Sequence, residues 1–122
     1  AGVPAALVTS THRRLTEIAL DTMGREHFAA TVCGDEVVHP KPAPDPYEQA
    51  ARLLGVDPTR CVAIEDSPLG ITSAEAAGCA VLAVPSEVPL EAVPGRTVVS
   101  SLDGITVADL TALVGAEQRA CR

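Results

Sequence analysis

The chain has 122 residues, 47% of them hydrophobic, with one Phe, one Tyr, no Trp and a net charge of −7. That length and apolar content give one domain with an Ala/Val/Leu/Ile core, burying roughly two thirds of the unfolded surface, and exclude a disordered chain. The acidic balance excludes nucleic-acid and anionic-membrane partners, which need clustered Lys and Arg, and no apolar stretch is long enough to cross a bilayer.

In chain order, Ala1-Gly2-Val3-Pro4 reads as a turn, and the apolar run Ala5–Val8 as a buried strand that ends in Thr9-Ser10-Thr11. The following spacing predicts a helix stopped at Gly24, with Leu15, Ile18, Ala19 and Thr22 facing the core and Arg13 and Arg14 exposed. Residues 30–33 form a weak second strand. His39-Pro40-Lys41-Pro42-Ala43-Pro44 is too proline-rich for helix and fixes an extended loop. Asp45-Pro46-Tyr47-Glu48 then opens a helix with Asp45 as cap, an apolar stripe of Tyr47, Ala50, Ala51 and Leu54, and a stop at Gly55.

A third strand spans residues 61–64. Ser67 caps the next helix, which Gly78 ends, and residues 80–84 form a fourth strand. A loop marked by Pro85, Pro89 and Pro94 precedes a fifth strand at 97–99, then a helix from Thr106 to Val114 and a frayed tail. Alternating strands and helices imply an α/β fold with a parallel sheet. Cys33, Cys61, Cys79 and Cys121 show no metal spacing and read as reduced, structural thiols of a cytoplasmic protein.

In open parallel sheets ligands sit beyond the carboxyl ends of the strands. Three polar groups fall there: Thr9 and Ser10 after the first strand, Lys41 after the second, and Glu65-Asp66 at the end of the third. Adjacent carboxylates ending a buried strand are costly to desolvate without a positive partner, and Mg2+ takes carboxylate oxygens. A hydroxyl with turn amides, and a lysine ammonium, suit a phosphate. The pattern points to metal-assisted phosphate chemistry.

Leu7-Val8-Thr9-Ser10, Lys41-Pro42-Ala43-Pro44-Asp45 and Ile64-Glu65-Asp66-Ser67-Pro68-Leu69-Gly70-Ile71 resemble the haloacid dehalogenase-like superfamily, most of all its beta-phosphoglucomutase-like phosphatases. The resemblance runs from Val3 to about Val114 and implies a three-layer, Rossmann-like parallel sheet. It implies that residues 1–122 are a partial core domain, a carboxy-terminal piece without the cap. By the same similarity Thr9 and Lys41 are catalytic, and Thr9, Ser10 and Lys41 bind the substrate phosphate. Asp66 and Glu65 hold Mg2+, and Ser67 and Gly70 shape the supporting loop.

The family's Asp-x-Asp-Gly, whose first Asp is the nucleophile that forms an aspartyl-phosphate, is absent from these residues. Asp103-Gly104 is no substitute, because Ser101 precedes it where an Asp is needed. The family places the nucleophile strand mid-sheet, so its absence separates the first two strands from the third and fourth. A preceding segment or another chain would then complete the sheet. The function implied by the resemblance is hydrolysis of a small phosphorylated metabolite, a sugar phosphate, with the isolated chain inactive. The alternatives are a phosphomutase of the same branch, or a non-catalytic remnant that binds an anion or a protein.

Overall fold

The computed structural model describes residues 3–85 and 93–120. Strand β1 (Ala6–Val8) is followed by helix α1 (Arg13–Met23), β2 (Ala30–Val32), α2 (Asp45–Leu54), β3 (Val62–Glu65), α3 (Pro68–Ala77), β4 (Ala80–Ala83), β5 (Arg96–Val98) and α4 (Val107–Ala120). Short 3-10 turns at Arg25–His27 and Pro58–Arg60 lead into β2 and β3. The opening Ala1-Gly2, the loop around Pro89 and Cys121 lie outside the described residues. Cys33, Cys61 and Cys79 are free thiols.

β1 pairs with β2 in one sheet, and β3, β4 and β5 form a second in that order, all parallel. The strands divide where the resemblance implies. Along a parallel strand, alternate peptide groups serve opposite edges. The Cys61 and Glu65 carbonyls accept from Ala80 (3.1 Å) and Val84 (2.8 Å), so the peptide groups of Val62 and Ile64 face away from β4. The Thr9 amide donates to Val32 (3.0 Å) and the Ala5 carbonyl accepts from Ala29 (2.7 Å), so those of Ala6 and Val8 face away from β2. Among the described residues no strand pairs with these two inner edges.

Helix α2 joins the two sheets, packing on β1, β2, α3 and the Pro58–Arg60 turn. Its buried Tyr47 belongs to the core with Ala63, Ile71, Ala74, Cys79, Val81 and Ala83. β4 is buried at every position, which requires cover on both faces, and both α3 and α4 pack on it. Gly55 ends α2 in the left-handed region (φ 74°), where its N–H satisfies the carbonyls of Ala51 and Arg52.

Four local expectations are corrected. The Leu15–Ile18–Ala19–Thr22 face of α1 is exposed (Leu15 61%, Ile18 63%), and Thr16 and Leu20 point inward instead. Arg13 lies on the inward side with them. Far from being a solvated residue, it donates to Glu36 Oε1 (2.7 Å), to the Thr31 hydroxyl (2.7 Å) and carbonyl (3.2 Å), and through its amide to Asp35 Oδ1 (2.9 Å). Asp45 is not the cap of α2. The helix begins at Asp45 with Pro44 before it, and the carboxylate faces His39 Nδ1 at 3.0 Å. The last helix continues to Ala120, started by a reciprocal pair in which Asp109 N donates to Thr106 Oγ1 (3.2 Å) and Thr106 N to Asp109 Oδ2 (2.9 Å).

Candidate functional site

Lys41 links the carboxyl ends of β1 and β3. Its Nζ donates to the Val8 carbonyl (3.2 Å) and to Glu65 Oε2 (2.6 Å). The proline loop presents this lysine, and the fully buried Ser73 of α3 anchors that loop by donating to the Ala43 carbonyl (2.6 Å). The Lys41–Pro42 bond is cis.

The ion pair is buried, with side-chain exposures of 11% for Lys41 and 6% for Glu65. Desolvating both ions costs several kcal/mol unless further hydrogen bonds satisfy them. The Tyr47 hydroxyl supplies one, donating to the same Oε2, and its ring centroid lies 5.5 Å from Nζ. Burial, then the hydrogen bond to Glu65, pushes the Tyr47 phenol well above its ordinary pKa, so it remains a donor. Glu65 Oε1 lies against Gly70 in the first turn of α3, where any Cβ would collide with the carboxylate. Glycine is required there by close approach.

Thr9 directly follows the carbonyl that Lys41 engages. Its Oγ1 accepts from the Thr11 amide (3.1 Å), shaping the turn into α1. Ser10 is exposed, and its carbonyl packs so closely on Gly34 that a Cβ there would collide. Asp66 is exposed and has no hydrogen-bond partner among the described residues. Ser67 Oγ accepts from the Gly70 amide (3.1 Å) and caps α3. Thr9, Lys41 and Glu65 thus gather at one rim, with Asp66 adjoining Glu65 and the Ser67–Gly70 turn beneath them.

Glu65 and Asp66 are both hard oxygen donors of the kind Mg2+ takes, but Glu65 Oε2 already holds Lys41 and Tyr47 and its Oε1 packs on Gly70, so Asp66 alone presents free oxygens. The two do not match Mg2+ in number: no group of three or more His, Cys, Asp or Glu among the described residues could hold a metal. Water and phosphate oxygens, which Mg2+ commonly retains, would fill the other positions.

The sequence pattern placed Tyr47 only on an apolar stripe and left Ser73 unremarked. The available signal was chemical: a buried phenol or hydroxyl needs a hydrogen-bond partner, and Tyr47 is the chain's one tyrosine, in a helix entered directly from the Lys41 loop.

A family model described as haloacid dehalogenase-like hydrolase matches residues 1–78. The chain belongs to the haloacid dehalogenase-like hydrolases. Among curated relatives, fructose-1-phosphate phosphatase YqaB of Escherichia coli (strain K12) is 43% identical over 76 residues, covering 62% of this chain and 40% of the relative. Hexitol phosphatase A of the same organism is 40% identical over 110 residues, covering 88% of this chain and 50% of the relative. The crystal structure of CbbY from Rhodobacter sphaeroides in complex with phosphate matches with a TM-score of 0.80 at 32% identity, over 89% of this chain and 52% of CbbY. This haloacid dehalogenase-like chain therefore spans about half the length, or less, of the curated relatives it matches.

Proposed function

We propose that this chain is the phosphate- and metal-binding portion of a hydrolase that acts on a small sugar or hexitol phosphate. The observation that carries the proposal is the position of Lys41, held between the ends of β1 and β3 by the Val8 carbonyl and Glu65. Its phosphatase relatives support the reaction class.

In this reading the Lys41 ammonium faces the transferring phosphoryl group as a compact positive charge. The Thr9 hydroxyl and the amides of the Thr9–Thr11 turn take the phosphate oxygens, and Ser10 flanks them. Asp66 would hold Mg2+, with Glu65 serving through water because its oxygens are engaged by Lys41, Tyr47 and the Gly70 turn, and the ion would supply electrostatic stabilisation of the phosphoryl oxygens. The Ser67–Gly70 turn keeps the two carboxylates in place. The nucleophilic Asp would come from an extended segment seated between β1 and β3. The peptide groups of Ala6, Val62 and Ile64, which have no partner among the described residues, support such a segment, from the same polypeptide or from another chain. Reduced thiols fit a cytoplasmic setting, and no helix of the described residues is long and apolar enough to cross a membrane.

The test is to join the amino-terminal half of a relative, such as hexitol phosphatase A, ahead of Val3 and to assay hexitol and hexose phosphates with Mg2+. Hydrolysis that the isolated 122 residues lack, and that Lys41→Ala removes, is expected. Hydrolysis that survives Lys41→Ala would overturn the proposal.

A further inference from the structure

We infer that Tyr47 is the positioning residue of this site: its hydroxyl fixes the Glu65 carboxylate, and through it the Lys41 ammonium. The inference rests on the phosphate-site reading above and deepens it.

Glu65 Oε2 receives two donors at once, Lys41 Nζ at 2.6 Å and the Tyr47 hydroxyl. The other oxygen is pressed against Gly70, leaving the carboxylate little freedom to turn. Lys41 has no carboxylate partner besides Glu65 among the described residues, so the direction of its ammonium depends on where Glu65 stands. A lysine side chain has four rotatable bonds and loses considerable rotamer freedom when held. A rigid phenol on a helix is suited to bear that restraint, because only two side-chain angles need fixing. Tyr47 is 9% exposed and sits among Ala63, Ile71 and Ala74, so the hydroxyl's position follows from core packing. The second contact, ring to ammonium, places the aromatic face beside the same cation. Tyr47 therefore translates the packing of α2 into the orientation of Lys41, without itself reaching the substrate.

The experiment uses Tyr47→Phe, which keeps the ring and deletes only the hydroxyl. Two readouts are taken on the wild-type chain and each variant. One is nitrogen-15 NMR of the Lys41 ammonium, whose two hydrogen bonds slow its proton exchange. The other is calorimetric binding of tungstate, a tetrahedral oxyanion, without Mg2+. Wild type is expected to show an observable Lys41 ammonium signal. In Tyr47→Phe that signal broadens into solvent exchange, and tungstate affinity falls about threefold to tenfold. Glu65→Gln reproduces the loss, and adding Tyr47→Phe to it costs nothing further, because both act through one contact. An unchanged Lys41 signal in Tyr47→Phe overturns the inference, as does strict additivity of the two substitutions. Absent tungstate binding in wild type would count against the phosphate-site reading alone, since the ammonium signal judges Tyr47 independently.

Discussion

At the outer edge of β2 the Arg13 guanidinium donates to both the carbonyl and the hydroxyl of Thr31, while Glu36 and Glu17 hold the guanidinium itself. At the inner edges of β1 and β3, the Val8 carbonyl has Lys41, and the peptide groups of Ala6, Val62 and Ile64 have no partner among the described residues. Edge strands invite pairing, and proteins blunt the ones meant to stay edges, often with charge. The outer margin of β2 is finished in that way. The inner margins are not, and Ile64 stands 46% exposed beside them. The difference marks one edge as guarded and the other two as open to pairing.

Four substitutions would break or sharpen that contrast. The largest effect is expected at the inner rim: in the extended enzyme described above, Lys41→Ala lowers kcat/KM for a hexitol phosphate about 100- to 1,000-fold, as removal of a transition-state charge partner does. A smaller loss would make the Val8–Lys41–Glu65 bridge merely structural.

At the outer edge, Arg13→Ala is expected to cost about 1–3 kcal/mol in urea unfolding, because it strips charge-assisted bonds that are only partly exposed. The hydrogen bond from Arg13 is the first cause holding the Glu36 carboxyl below its ordinary pKa. A depressed carboxylate pKa contributes stability above the unfolded value, near 4.3, that is lost as pH falls through the folded one. Acid sensitivity below about pH 4 should therefore diminish in Arg13→Ala. An unchanged acid profile would detach Glu36 from this edge.

Next, Asp66→Asn should weaken Mg2+ binding about tenfold by calorimetry without shifting the urea midpoint, since the carboxylate is exposed and unpaired. Unaltered affinity would remove Asp66 as a ligand. The smallest effect is expected from Ile64→Lys, within about 0.5 kcal/mol of wild type, yet with slower aggregation of the isolated chain, because a charge now guards an open edge. Aggregation at the wild-type rate would mean that the inner edges are not what the chain uses to self-associate.

Local chemistry that needs no distant partner was legible from the residues: Ser67 capping α3 with Pro68 behind it, Gly55 stopping α2, and the apolar runs that became β3 and β4. The rotation of α1 was not. The exposed face is the more apolar, with Leu15, Ile18 and Ala19 against Leu20 on the inward side, so spacing alone pointed to the wrong face; the inward side carries Arg13, which binds Glu36, 23 residues away. The rim itself was half legible. Thr9, Lys41, Glu65 and Asp66 stood out as polar residues at strand ends, whereas Tyr47 looked like packing until its hydroxyl met Glu65.

The residues in order thus determined the alternation of strands and helices, the acidic pair at the end of β3 and the membership of the haloacid dehalogenase-like family, because propensity, capping and motif spacing act over a few neighbouring positions. Only the tertiary structure decided that one carboxylate serves both Lys41 and Tyr47, and that β1 and β3 present open edges. Those facts depend on directions of side chains and peptide groups brought together from segments up to 33 residues apart, and such directions are set by packing in three dimensions.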